Sequence, residues 1–341
     1  MRTPLPATRS INFGFEDVVT SKPNWKTHTE RLKKANANAV SIAVGRPDWV
    51  AFPWEAYPDI QADLVRETER DFVAEALREL RKAYPDGFEL TLTVDALLPG
   101  WIGEDKDLAG ISAGGKHSES FASVSALTDG AVADRLIELA VELRERYEPQ
   151  RIAFTELMFD GSTFGEDDLD HYKSFAKAKD WPRTSNGKID ESHDSIYRWR
   201  SKSLAKLLGT IKDEVGDTKV DIDVRAPWQD PTGDRAESGH DYDTLLDSAD
   251  RIVVWNYFAM NDVSPKYGGK IAKALQASHP DRYTMSSGLW GEGDDVVSPQ
   301  DLAASLRAVA QAGAESVSVS PASSMTAEHW DALAELWHPD A

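Results

Sequence analysis

Eight short stretches of the chain are rich in β-branched or aromatic residues, or alternate apolar with polar side chains, and polar, Gly or Pro positions bound each of them. They are Ser10–Glu16, Ala39–Gly45, Glu89–Ala96, Arg151–Asp160, Lys219–Ala226, Arg251–Ala259, Arg282–Leu289 and Ser316–Ser323. Helical patterns fill the intervals. Asp129 stands before Val132, Leu136, Leu139 and Leu143, which share one helical face. Asp194 precedes Ile196, Trp199, Leu204, Leu207 and Ile211, and Ser298-Pro299 places proline at a first helical position. Eight strand–helix alternations predict an α/β protein, a (β/α)8 barrel of the TIM type, as a single domain over residues 1–341. Its loops are enlarged after strands three and four, at Pro99–Asp129 and Gly161–His193. A doubly wound open sheet is the alternative, but it normally has a glycine-rich phosphate turn after its first strand, and the sequence has none.

The polar positions within the strands carry the candidate chemistry. In Lys219–Ala226, Val220, Ile222 and Val224 alternate with Asp221, Asp223 and Arg225. The apolar set should face the helices, so the charged set points into the barrel, which Val, Ile and Leu usually fill. One reading is an Asp–Arg pair that locks the barrel, since buried charges must pair; the other is a functional site, and the two are compatible. Glu156 and Asp160 lie toward the end of the fourth strand, where barrel enzymes place catalytic groups. The bland alternatives are a salt-bridged loop carboxylate for Glu156 and a turn residue before Gly161 for Asp160. Asn12, Gly14 and Glu16 share a parity on strand one, as do Thr91, Thr93 and Asp95 on strand three. Asn256 interrupts the apolar sixth strand in Trp255-Asn256-Tyr257.

Tryptophan adds a second signal. Of 11 tryptophans, six fall at or just past strand ends: Trp49, Trp54, Trp101, Trp228, Trp255 and Trp290. The flat C–H face of a sugar stacks on indole while its hydroxyls bond carboxylates, although any single tryptophan can equally be core filler. The expected catalytic residues are Glu156 as acid, with Asp223 or Asp160 as its partner and Arg225 holding Asp223 ionised. The expected substrate contacts are Glu16, Arg46, Asp48, Trp49, Asp95, Arg225, Trp228, Asn256, Tyr257 and Trp290.

Composition narrows the partners. The chain has 341 residues, 58 acidic against 38 basic, and a formal net charge of −20. Such a surface repels phosphate backbones and anionic lipids, so neither nucleic acid nor a membrane is an expected partner, and the oligomeric state is left open. Anionic substrates are disfavoured too unless a local basic pocket exists. There is no cysteine, which removes disulfides, thiolate nucleophiles and Cys-based zinc sites. The eight histidines show neither His-x-His nor His-Glu-x-x-His spacing, and no Gly-x-Ser-x-Gly elbow occurs, so no metal and no cofactor is expected. The loop from Gly288 to Asp295 is glycine-rich but acidic, through Glu292, Asp294 and Asp295, and would repel a phosphate. The first 25 residues lack an apolar core of signal-peptide length, so the chain as given reads as soluble and its compartment stays open.

These residues resemble a family. Leu157-Met158-Phe159-Asp160-Gly161, followed by Glu166-Asp167-Asp168-Leu169, looks like the hypothetical glycosyl hydrolase families related to the C-terminal hydrolase domain of the poly-N-acetylglucosamine deacetylase PgaB. Those proteins carry Phe-His-Asp-Asp at this strand end; Phe159 and Gly161 depart from it, so Asp160 alone carries over by position. The segment from Trp25 to Trp54, with Arg31-Leu32 and Asn38-Ala39-Val40, is similar to their first helix and second strand. Trp255-Asn256-Tyr257 resembles the Met-x-Tyr-Asp of chitinase-like barrels, with Phe258 in place of the acid. The resemblance implies a barrel that cleaves a glycosidic bond in a poly- or oligosaccharide. A saccharide-binding barrel without catalysis, and a barrel lyase or isomerase acting on a small acid, are the alternatives.

Overall fold

A computed structural model describes residues 3–338 apart from 292 and 294; Glu292 and Asp294, invoked above for an acidic loop, lie outside the described residues. Eight parallel strands close on themselves. They are β1 (Thr8–Phe13), β2 (Ala39–Arg46), β3 (Glu89–Asp95), β4 (Arg151–Thr155), β5 (Lys219–Arg225), β6 (Arg251–Asn256), β7 (Tyr283–Gly288) and β8 (Ser316–Ser320). Each pairs with the next in sequence, and β1 completes the ring by pairing with both neighbours: Ile11 lies opposite Val319 of β8 and Val40 of β2. This is the (β/α)8 barrel the alternation predicted.

Helices follow the strands on the outside. α1 (Trp25–Lys34), α2 (Phe72–Ala83), α3 (Ala131–Tyr147), α4 (Asp194–Val215), α5 (Tyr242–Leu246), α6 (Gly268–Ser278), α7 (Pro299–Gln311) and α8 (Ala327–Leu336) occupy the eight intervals. α7 starts as read, with Ser298 accepting from the Asp301 amide at 3.1 Å and Pro299 in the first turn. Two caps shift by one residue. Gly130, not Asp129, precedes α3, and the side chain of His193, not Asp194, caps α4. Asp129 instead binds His171 at 2.7 Å and pairs with Lys206.

The core is an annulus. Ile42, Leu92, Phe154, Ile222, Val254 and Met285 from the strands are fully buried, as are Leu80, Leu139, Leu207 and Leu306 from the helices. Packing between sheet and helices therefore takes the apolar parity of every strand. The other parity carries small or polar side chains: Ser10, Ser41, Thr91, Thr93, Ala153, Thr284, Ser316 and Ser318 line a cavity of about 660 Å³ that runs down the barrel axis. These hydroxyls partly satisfy one another, as in Ser41 with Thr93 at 2.6 Å and Thr284 with Ser316 at 2.8 Å. At the floor, Asp221 is 1% exposed and receives a two-pronged bond from Arg151, both contacts at 2.6 Å, plus Arg251 at 3.2 Å. Arg251 also reaches Glu89 at 3.2 Å. A charged plug thus closes the barrel where branched aliphatics usually do.

Strand limits differ from the sequence reading in ways that matter for the site. β1 ends at Phe13, and Glu16 lies in a short helix, Phe15–Val18, so it shares no strand parity with Asn12. β4 ends at Thr155, so Glu156 and Asp160 are loop residues. The enlarged segment after β3 holds a short helix, Pro99–Glu104, and an antiparallel pair, Ala109–Ile111 with His117–Ala122. No helix among the described residues is long and apolar enough to cross a membrane.

Candidate active site

The cavity opens at the C-terminal ends of the strands, and its mouth is built mainly from β4, β5, β6 and the loop after β7. On β4, Arg151, Ala153 and Thr155 face inward. Strict alternation would turn Glu156 outward. Its backbone instead adopts the left-handed conformation, φ 56°, and this kink returns the side chain to the cavity. A non-glycine residue pays for that conformation, and such residues concentrate at functional sites. The kink is held by His240, which is fully buried between the two loops. Its Nδ1 accepts from the Arg225 amide at 3.1 Å and its Nε2 faces the Leu157 carbonyl at 3.0 Å. Burial pushes the His240 imidazole down to about 4, so it is neutral and its Nε2–H donates to that carbonyl. Buried Arg200 adds a second tie, bonding Thr163 Oγ1 at 2.7 Å and the Glu237 carbonyl.

On β5, Asp221 forms the floor, Asp223 sits above it, and Arg225 stands at the mouth. Asp223 is not paired with Arg225. Its Oδ2 accepts from Trp255 Nε1 at 3.2 Å, and the Thr155 hydroxyl hydrogen-bonds it as well. The expected Asp223–Arg225 pair is therefore replaced by two neutral donors from the neighbouring strands. The reason is geometric: residues two apart on a strand share a face but point in parallel, whereas Trp255 on β6 and Thr155 on β4 flank Asp223 laterally.

Three carboxyl groups sit close together here, and the charge of Asp95 acts on both Glu156 and Asp223. Burial raises Glu156 to about 7, and the nearby charges of Asp95 and Asp223 add to this while Arg225 opposes it. Burial likewise raises Asp223 to about 7, against the hydrogen bonds from Trp255 and Thr155. Asp95, at the end of β3, is raised to about 6 by burial; the bond from the Leu97 amide and the charge of Arg46 partly offset this. Burial thus leaves two carboxyl groups in this cavity that hold protons well above the usual carboxylate range. Among the described residues, no three His, Asp or Glu side chains gather as a metal-binding group.

Aromatic rings form one wall. Trp255 stacks on Tyr257 with ring centres 5.7 Å apart and an interplanar angle of 10°, and Tyr257 meets Trp290 at 4.8 Å. Only glycine fits at 288 beneath them, because a Cβ there would stand 2.3 Å from the Tyr257 ring. Trp228 lines the cavity as well, its carbonyl held by Tyr267 Oη at 2.7 Å. Trp290 remains 39% exposed, with Met260 beside it on the rim.

Of the expected residues, Glu156, Asp223, Glu16, Arg225, Trp228, Tyr257 and Trp290 come together around this cavity. Glu16 sits at the rim and accepts from Ser323 at 2.6 Å. Asp95 and Arg46 are not among the lining residues; the charge of Asp95 acts on Glu156, and that of Arg46 on Asp95. The others are elsewhere. Asp160 is exposed and closes its own turn, accepting from the Ser162 amide at 3.0 Å. Asp48 receives the amides of Gly100 and Trp101 at 2.7 and 3.2 Å and so anchors the Pro99–Glu104 helix. Trp49 packs edge-on against Phe15 at 4.8 Å. Asn256 has outward parity; it is 0% exposed and bonds Ser287 at 3.3 Å and Ser305 at 2.8 Å beneath α7. Trp54 and Trp101 also lie outside the cavity, against Tyr57 and Arg135 respectively. The sequence reading missed Trp255 as a carboxylate partner, His240 as the clasp, and Arg235 in the wall. Inward parity on β6 was the available signal for Trp255.

The fold is a (β/α)8 barrel, and it is similar to that of several solved glycoside hydrolases. The glycoside hydrolase domain of PgaB (BpsB) from Bordetella bronchiseptica superposes with a TM-score of 0.73 at 14% identity, covering 98% of this chain and 100% of that one. A GH42 β-galactosidase from G. stearothermophilus superposes at 0.70 and 12% identity, over 98% of this chain and 57% of that one. The β-amylase catalytic domain from Paenibacillus polymyxa does so at 0.63 and 11% identity, over 96% and 97%. The chain thus spans a little over half of that β-galactosidase. No family model and no curated protein sequence matches it.

Proposed function

We propose that the protein hydrolyses a glycosidic bond in an oligo- or polysaccharide, with Glu156 as general acid and Asp223 as the carboxylate opposite it. One observation carries this reading: Glu156, just past the end of β4, and Asp223, on β5, reach one aromatic-walled cavity, where burial raises both to about 7. The assignment of roles follows from their partners. Asp223 accepts two hydrogen bonds, which favour its anion, whereas no described residue hydrogen-bonds the Glu156 side chain, and burial, helped by the charges of Asp95 and Asp223, keeps its proton on. Glu156 would pass that proton to the leaving oxygen as the C–O bond breaks. Asp223 would then attack the sugar carbon directly or take a proton from the attacking water. The indoles supply stacking faces, and the fold resemblance to solved glycoside hydrolases supports the substrate class.

The test uses the leaving group. On an alkyl glycoside or a natural oligosaccharide that the parent cleaves, Glu156→Gln should lose roughly 10²–10⁴-fold in rate, the usual scale for a positioned acid. On the matching dinitrophenyl glycoside, which departs without protonation, its first step should be nearly untouched. Asp223→Asn should fail on both. Equal loss on both substrates by Glu156→Gln removes it from the role of acid. Absence of reducing-end release from a broad panel of polysaccharides by the parent enzyme removes the hydrolase reading itself.

A further inference from the structure

The chain carries net charge −20, yet one part of the cavity wall is basic. Arg225 and Arg235 both line the mouth. Arg235 is occupied: it pairs with Glu237 and donates to the Ala226 carbonyl at 3.1 Å. The Arg225 guanidinium has no hydrogen-bond or ion-pair partner among the described residues, although it is half-buried and close enough to Arg235 for the two cations to repel. Glu237 pairs with Arg235, and Glu237 and Glu156 are the carboxyls whose charge acts on Arg225, so while Glu156 holds its proton a surplus positive charge faces the cavity. Arg251, the other cavity arginine, is different, because Asp221 and Glu89 neutralise it at the floor.

A partly desolvated guanidinium without a partner is costly, and its planar fork matches a carboxylate. The position is specific. Arg225 is on the same strand as Asp223, and its charge acts on Glu156, so a group bound to it lies beside the proposed scission point. Trp228, three residues on, lines the same mouth and offers a stacking face to a ring whose substituent reaches Arg225. A monoanion matches the single surplus charge; a dianionic phosphate would meet repulsion from the Glu156–Asp223 pair.

We infer that the sugar unit bound at the mouth is acidic, a uronic acid whose carboxylate is gripped by Arg225 while its ring stacks on Trp228. This rests on the hydrolase reading for its substrate class, but it concerns recognition and does not need turnover. The bound carboxylate would also compensate Arg225, so its charge would act less on Glu156 and leave the acid more firmly protonated when substrate is present.

Titration calorimetry with the full chain tests it. The ligands are tetragalacturonate and a glucuronate-containing hyaluronan tetrasaccharide, each against its methyl-esterified form, with cellotetraose and chitotetraose as neutral oligosaccharides. The parent should bind at least one acidic oligosaccharide about tenfold or more tightly than its ester, and added salt should shrink the gap. Arg225→Gln should abolish that preference while still binding the ester, and Arg225→Lys should keep only part of it, since a lysine lacks the fork. Melting curves of both arginine variants show whether the fold is retained. If the parent binds acid and ester equally, or prefers the neutral oligosaccharides, the inference falls while the hydrolase reading stands. Preference that survives in Arg225→Gln places recognition elsewhere and also overturns it. If no oligosaccharide binds, both readings fall.

Discussion

The indole Nε1 of Trp255 donates to Asp223 Oδ2 at 3.2 Å, joining two neighbouring strands just below the cavity mouth. Trp255 thereby has two duties: its N–H stabilises the Asp223 anion and its face stacks on Tyr257. Trp255→Phe separates them, because phenylalanine keeps a ring and loses the donor. A hydrogen bond to a charged group contributes about 1.5–3 kcal/mol, so its loss should raise the Asp223 carboxyl by about one pH unit or more. The acidic limb of the pH–rate profile should move up by that amount. An unmoved limb in Trp255→Phe would mean that Asp223 does not set it.

The raised carboxyls also fix how stability changes with pH. Glu156 is raised from 4.5 to about 7, so the folded chain holds a proton that the unfolded chain releases between these values. The stabilisation is fully present below about pH 4.5 and is lost as the pH rises through about 7. Glu156→Gln cannot ionise and therefore escapes that loss. It should melt above the parent at pH 8 and close to it at pH 4. Calorimetry at both pH values checks this, and the opposite ordering at pH 8 would show that the Glu156 anion is favoured in the fold.

Asp221, unlike Glu156, should be needed for the fold. Its carboxylate is matched by Arg151 and Arg251 at the barrel floor, so Asp221→Ala leaves two largely buried guanidiniums without their main partner, with Glu89, Asp250 and Ser316 the remaining groups that act on them. Breaking a buried ion pair from one side costs about 3–5 kcal/mol. We expect a lower melting temperature or an insoluble product. A melt within one degree of the parent would mean that water satisfies the two arginines.

Much of this was legible in the sequence, and the exceptions have physical causes. The alternation on β5 gave both the barrel and its charged interior, because one parity must meet the helices whatever fills the other. The same logic missed the course of β4. Only a left-handed residue brings Glu156 inside, and nothing in Thr-Glu-Leu announces that glutamate will adopt it. Asp160 and Asp48 were misplaced because a carboxylate that caps amides and one that faces substrate look alike in sequence; three-dimensional donors decide between them. Asn256 was misplaced because a polar residue in an apolar strand suggests a site, while here it satisfies two serines beneath α7.

The tryptophans give the last test, because the structure divides them. Trp228 and Trp290 line the cavity, whereas Trp49, expected with them, packs against Phe15. Stacking on an indole adds about 0.5–1.5 kcal/mol to the area buried, so Trp228→Ala and Trp290→Ala should each weaken oligosaccharide binding by roughly tenfold. Trp290 is 39% exposed at the rim, so its removal should leave the melting temperature within a few degrees. Trp49→Ala should do the reverse: it opens space beside Phe15 and lowers stability while leaving binding unchanged in the protein that remains folded. Indole fluorescence separates the two outcomes directly. Saturating sugar should perturb the parent's emission, and Trp228→Ala and Trp290→Ala should each remove part of that response. If the response survives loss of both mouth tryptophans and disappears with Trp49, the sugar binds outside this cavity, and the proposed acid and its partner are then in the wrong place to act on it.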